Sequence, residues 1–171
     1  MKKIIINTII IFIISVLIHS FYNLLPNFLT SIFFPVNESI WEHMKMIFTS
    51  YMLFILLKFA FNKLDKNDLF ATVTSAIFNI IIFLIIYIPI YNLFGEHLVV
   101  TLIIYFITIL ISNFLWVKLT KKEINKKFHK LFFIPIIIVY IIFTYLTYYP
   151  IKAEIFYDKT NEKYGVYNKY S

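Results

Sequence analysis

The chain has 171 residues, 61% of them hydrophobic and only 15% charged, with a formal net charge of +7. Soluble domains use about 45–50% apolar residues, so this composition, with its mean hydropathy of +0.82, argues against an ordinary soluble fold. All sixteen basic residues are Lys and there is no Cys, which removes bidentate guanidinium recognition of phosphate, disulfides, thiolate zinc sites and cysteine nucleophiles.

A hydrocarbon core of about 30 Å takes about 20 apolar residues as helix. Five segments qualify, over about 4–24, 44–61, 69–91, 99–117 and 131–149. Alternating strands of a membrane barrel are not seen, so each is read as a helix.

The first span follows Lys2 and Lys3 and imitates a signal peptide. Its length and the lack of a small-x-small site predict an uncleaved span. His19 lies near its outer end, with Tyr22 three residues on and on the same face. An ionisable residue inside a span is a functional candidate, the plain alternative being a neutral histidine bonded to a neighbouring helix. Residues 25–36 are expected to form a short bent or interfacial segment.

The run Asn37-Glu38-Ser39-Ile40-Trp41-Glu42-His43-Met44-Lys45 is the most unusual in the chain. Asn37 suits an N-cap and Glu38 the first turn, which predicts that the second span's helix begins near Glu38. At helical spacing Glu38, Trp41, Glu42 and Lys45 form one stripe, with His43 beside it. Two carboxylates and an imidazole can ligate a metal, or perform acid–base chemistry once burial moves their pKa values. Glu38, Glu42 and His43 are therefore the catalytic candidates. The plain alternative is a solvated helix entry with Lys45 as counter-ion.

In the remaining spans Pro89 and Pro135 are expected to kink their helices. Asn79 and Asn113 are expected to bond between helices, while the inner halves of the spans otherwise read as apolar. Glu96, His97 and His129 read as solvated loop or surface residues. Eleven lysines precede span one or lie at the two-to-three and four-to-five connections. They predict a cytosolic N-terminus and an extracytosolic C-terminus, and a membrane surface rather than nucleic acid as partner. Trp41 and Trp116 are then expected at opposite interfaces. The polar tail, 150–171, is either a flap over the bundle or a frayed end.

The absence of an internal repeat weakly disfavours repeat-built transporters. There is no His-Glu-x-x-His pair, Gly-x-Ser-x-Gly elbow or P-loop. Any metal site must mix histidine with carboxylate, which suits zinc or another divalent ion with an open position for water.

The run from Pro35 to Lys45 closely resembles the signature of an uncharacterised bacterial multi-pass membrane family that carries a domain-of-unknown-function label. That family also has a His-x-x-Tyr pair in its first span, matched by His19 and Tyr22. Its tail carries Phe-x-Asp and then Tyr-Gly, similar to Phe156-Tyr157-Asp158 and Tyr164-Gly165, although Ala153-Glu154 stand where a proline-rich lead-in is expected. The resemblance implies a multi-pass membrane protein with no established activity. It raises His19, Glu38, Glu42, His43 and Asp158 as a set.

The expected fold is an all-α bundle of about five spans over 1–149 with a polar extracytosolic tail over 150–171. The favoured function is a metal-dependent hydrolase or other lipid- or peptide-modifying enzyme. His19, Glu42, His43 and Asp158 are the expected metal ligands, and Asn37, Trp41, Tyr22 and Lys45 support them. The alternatives are a small-molecule or ion transporter, or its binding subunit, and a non-enzymatic accessory protein.

Overall fold

The computed structural model describes residues 1–95, 97–122 and 133–166. Glu96, His129, Lys126, Lys127 and Lys130, the start of the expected fifth span and the end of the tail lie outside the described residues.

The helices are α1 (Lys2–His19), α2 (Phe21–Leu24), α3 (Phe28–Phe33), α4 (Ile40–Ala60), α5 (Asp68–Phe94), α6 (Leu98–Thr120) and α7 (Phe133–Tyr148). A 3-10 turn (Glu154–Phe156) and a two-stranded hairpin, β1 (Tyr157–Asp158) with β2 (Lys163–Tyr164), follow. Four stretches are long and apolar enough to cross a membrane: residues 2–24, which join α1 and α2, then α4, α5 and α6. The described part of α7 is apolar and 16 residues long.

The four long helices pack as a ring in which α1 touches α4, α4 touches α5, α5 touches α6 and α6 returns to α1. Successive members run in opposite directions. Lys3, Lys58, Asp68 and Trp116 therefore gather at one end, and His19, Glu38 and His43 at the other. α7 lies outside the ring. Tyr140 and Phe143 pack on Phe48 of α4, and Tyr148 bonds Ser31 of α3.

The bundle is apolar outside and mixed inside. Ile5, Ile9, Ile13 and Leu17 of α1 are exposed, whereas Asn7, Thr8 and Ser15 are buried. Apolar side chains facing outward and polar ones facing inward suit a lipid surround, where the aqueous preference is absent. This corrects the expectation of apolar inner halves. Thr72, Ser75 and Asn79 line one face of α5, and Tyr105, Thr108 and Ser112 line one face of α6, all buried.

Several boundaries differ from expectation. α1 ends at His19, because Ser20 adopts φ −100° and ψ 9°, and Tyr22 continues on a separate short helix. α3 folds within the expected bent segment under a reciprocal cap between Asn27 and Thr30. α4 starts at Ile40, earlier than the expected 44 and later than Glu38. Ser39, not Asn37, is its N-cap and accepts from the Glu42 amide at 3.4 Å. α5 continues through Pro89 to Phe94, and Pro135 sits in the first described turn of α7. Trp116 lies at the lysine end, opposite Trp41, and is fully buried inside the bundle, with its indole N–H donating to Thr72 at 3.0 Å.

Over its described residues the tail folds back onto the bundle, with Phe156 against Trp41 and Gly165 bonded to Asn37. Gly165 has φ +67°, and a Cβ there would stand 2.7 Å from the Thr147 carbonyl. Glycine is therefore required both by the left-handed backbone and by the close approach to α7.

Candidate metal centre

The N-terminal turn of α4 splits the ionisable residues of the Asn37–Lys45 run into two groups with different surroundings. Helical geometry sends Glu42 and Lys45 to one side, towards α3 and α7, and leaves His43 facing α1. Glu38 stands before the helix, so its side chain is not held on the Glu42 stripe.

His19, Glu38 and His43 converge. The Nε2 of His19 is 3.1 Å from Glu38 Oε2, and the Nε2 of His43 is 3.8 Å from the same oxygen. The two imidazole rings are 5.6 Å apart, and one ligand atom from each of the three residues falls within 4.8 Å of the others. The His43 side chain is 12% exposed, while those of His19 and Glu38 are about one third exposed, so the group opens outward.

Two features prepare this group for a cation. His43 Nδ1 lies 2.9 Å from the Ser39 carbonyl. A carbonyl only accepts, so Nδ1 carries the hydrogen and a neutral ring presents a lone pair at Nε2. In that neutral form Nε2 stands 3.8 Å from Glu38 Oε2, where a cation could be shared between them. The His19 hydrogen bond, foremost, holds the Glu38 carboxyl below its ordinary value of 4.5. Partial burial opposes this shift, positive charge on His19 and His43 assists it, and Asp158 opposes it. The donor set of two imidazoles and one carboxylate suits zinc, whose bonds of about 2.0–2.2 Å require the ligand atoms to draw slightly closer.

A pocket of about 340 Å³ adjoins the group. His19, Ser20 and His43 lie at its mouth, and Ser15, Phe83 and Tyr105 line it further into the bundle.

Glu42 and Asp158, both expected ligands, are not part of the group. Glu42 Oε2 accepts from Lys45 Nζ at 2.6 Å and from the Val36 amide at 3.1 Å, and Oε1 accepts from the Thr147 hydroxyl at 2.6 Å. Lys45 Nζ also donates to the Ser31 carbonyl at 2.8 Å and to Thr147 Oγ1 at 3.1 Å. Both partners are fully buried. Their hydrogen bonds tie α3, Val36 and α7 to α4, which is a structural task and leaves Glu42 no free oxygen facing the histidines.

Asp158 is likewise committed. Its Oδ1 accepts from the amides of Thr160 and Asn161, and its Oδ2 from Asn161 Nδ2 and the Glu38 amide. It shapes the hairpin turn and clamps the backbone that carries Glu38. Asn37 reinforces the clamp by donating to the Gly165 carbonyl at 2.9 Å and accepting from the Ser39 amide. Trp41 packs between Phe143 of α7 and Phe156 of the tail. Tyr22 is buried on α2. His97 precedes α6 and lies outside the cluster.

At the opposite end Lys58 bonds Asp68, and the ammonium groups of Lys58 and Lys3 lie over the Trp116 ring, 4.8 and 4.9 Å from its centroid. Sequence reasoning used these lysines only for orientation. The i, i+10 separation of Lys58 and Asp68 across a tight turn was the available signal.

No curated protein and no solved structure matches the chain. A family model described as a family of unknown function, DUF6512, matches residues 1–166, which include the four long helices, α7 and the hairpin tail. The chain belongs to that family.

Proposed function

We propose that the protein is a five-span membrane protein with a divalent-cation site at its extracytosolic end, and that it acts there as a metal-dependent hydrolase on a lipid or peptide. α7, apolar over Phe133–Tyr148, supplies the fifth span. The lysine-rich end, with Lys3, Lys58 and Lys118, faces the cytosol by the positive-inside rule.

The observation that carries this reading is the convergence of His19, Glu38 and His43 within 4.8 Å, beside a pocket that His19 and His43 help to line. Three protein ligands leave a coordination position for water or substrate, the pattern of catalytic zinc. When bound, the cation would polarise a carbonyl and lower the pKa of its water. The chain's own residues do the rest. Ser39 orients His43, the Asp158 clamp positions Glu38, and the largely apolar pocket accepts an acyl chain or apolar side chain beside the scissile bond.

The test compares lipid and peptide profiles, by mass spectrometry, of membranes from cells carrying the wild-type chain or His43→Ala. Accumulation of one species in the variant supports hydrolysis. Identical profiles, with the wild-type protein carrying metal, would count against it.

A further inference from the structure

The interior of the four-helix ring holds a file of buried polar groups whose hydrogen bonding is incomplete. Six residues, Asn7, Asp68, Ser75, Asn79, Tyr105 and Asn113, each bury at least one side-chain nitrogen or oxygen that completes no hydrogen bond among the described residues. Buried polar atoms are nearly always satisfied, and a cluster of exceptions in one place calls for a cause. In a bilayer the cost is larger, because no bulk water reaches the group.

These groups are not scattered. Asp68, Ser75 and Asn79 follow one face of α5 at spacings of seven and four. Tyr105 forms part of the pocket beside His19 and His43, and its hydroxyl stands near those of Ser15 and Ser50. Tyr51, next to Ser50, bonds Ser112 and stands beside the Asn79 amide. Asn113, next to Ser112, donates to Thr8 at 3.0 Å. Trp116 donates to Thr72, one helical turn from the buried Asp68. Asp68 ends the file, with Oδ2 accepting from Lys58 and the Asp65 amide and Oδ1 without a hydrogen bond among the described residues. From Asp68 to Phe83, where the pocket begins, α5 rises roughly 22 Å at about 1.5 Å per residue. The pocket covers the remaining depth.

We infer that this file relays protons through the bundle, between the pocket at the histidine end and Asp68 at the lysine end. Its groups suit protons rather than metal ions. Between Glu38 and Asp68 the described lining offers hydroxyls and amides but no carboxylate, and Ile11, Ile47 and Ile109 are packed to zero exposure around it. These neutral groups offer nothing to replace a cation's hydration shell, whereas a hydroxyl can accept one proton while passing on another. Each hop forms one O–H bond as it breaks the next, so one proton enters and one leaves. The transmembrane proton gradient drives the net flow, and no co-reactant is needed. The relay goes beyond the metal-site reading and does not depend on it, because it is measured in metal-free protein.

The experiment uses the full chain, stripped of metal by a chelator and reconstituted in phosphatidylethanolamine–phosphatidylglycerol vesicles with a trapped pH dye. A potassium diffusion potential set with valinomycin drives proton entry. The wild type is expected to acidify the lumen faster than protein-free vesicles. Tyr51→Phe and Ser112→Ala, each removing one oxygen, are expected to slow protein-dependent entry about tenfold, as for one weakened link at the barrier. Helical circular dichroism and a monodisperse elution peak establish that each variant is folded. Wild-type vesicles no faster than protein-free ones would overturn the relay. Folded variants that conduct at the wild-type rate would overturn this route.

Discussion

Glu42 and Lys45 form an ion pair 2.6 Å long with both side chains fully buried, one turn from a second acidic residue, Glu38, that faces the histidines instead. The pair belongs to the scaffold. Breaking a buried pair by removing one partner leaves an uncompensated charge and costs about 3–5 kcal/mol. Glu42→Leu and Lys45→Met should each lower thermal stability in detergent strongly, and the double variant should lose much less than the sum. A double-mutant cycle measures this coupling, and additive losses would contradict it.

The hairpin tail should act as a clamp on the metal centre. Asp158→Ala frees the Glu38 amide and the hairpin turn, and Gly165→Ala drives a Cβ to within 2.7 Å of the Thr147 carbonyl. Both variants should become sensitive to protease after Pro150 while the helical bundle stays intact. Both should also bind metal more weakly than wild type. Protection of the tail unchanged in either variant would show that the clamp is dispensable.

The pH response of Glu38 has a definite sign. Its folded pKa is lowered, with the His19 hydrogen bond as the first cause. Its contribution to stability is therefore fully present above the ordinary value of 4.5 and is lost as pH falls through the lower folded value. His19→Gln removes the imidazolium as well as the bond's strength, so the Glu38 titration should move upward. Carboxyl NMR of selectively labelled glutamate reads the shift directly, and an unmoved titration would refute the assigned cause.

Orientation has its own check. A reporter fused after Ser171 should be active only outside the cytosol if five spans are present. Cytosolic activity would mean an even number.

Much of this arrangement is legible in the residues. Hydropathy runs locate the long helices to within a few residues, and the Asn37–Lys45 run points to the correct end of the bundle. His19 and His43 meet as their depths suggest. Helical spacing puts Glu38 on one stripe with Glu42, whereas the helix begins at Ile40 and Glu38 precedes it. Nothing local distinguishes a ligand carboxylate from one that ties elements together, since Thr147, which donates to Glu42, and Ser31, which accepts from its partner Lys45, are distant in the chain. Asp158 accepts both within its own turn and from the distant Glu38 amide, and only the turn is readable locally. The polar interior was readable in principle. Tyr105, Thr108, Ser112 and Trp116 recur at helical spacing, but single hydroxyls in apolar runs barely change mean hydropathy.

The most direct test of the metal centre is isothermal titration of the purified, chelator-treated chain with zinc, paired with elemental analysis of the protein as isolated. The account predicts one zinc per chain for wild type. His19→Ala, His43→Ala and Glu38→Gln should each weaken binding by at least about tenfold, in the range that loss of a metal-supporting group produces, while Glu42→Gln that remains folded retains it. Wild-type protein that binds no zinc, or binding unchanged in all three ligand variants, would contradict the assignment of His19, Glu38 and His43 as a metal site.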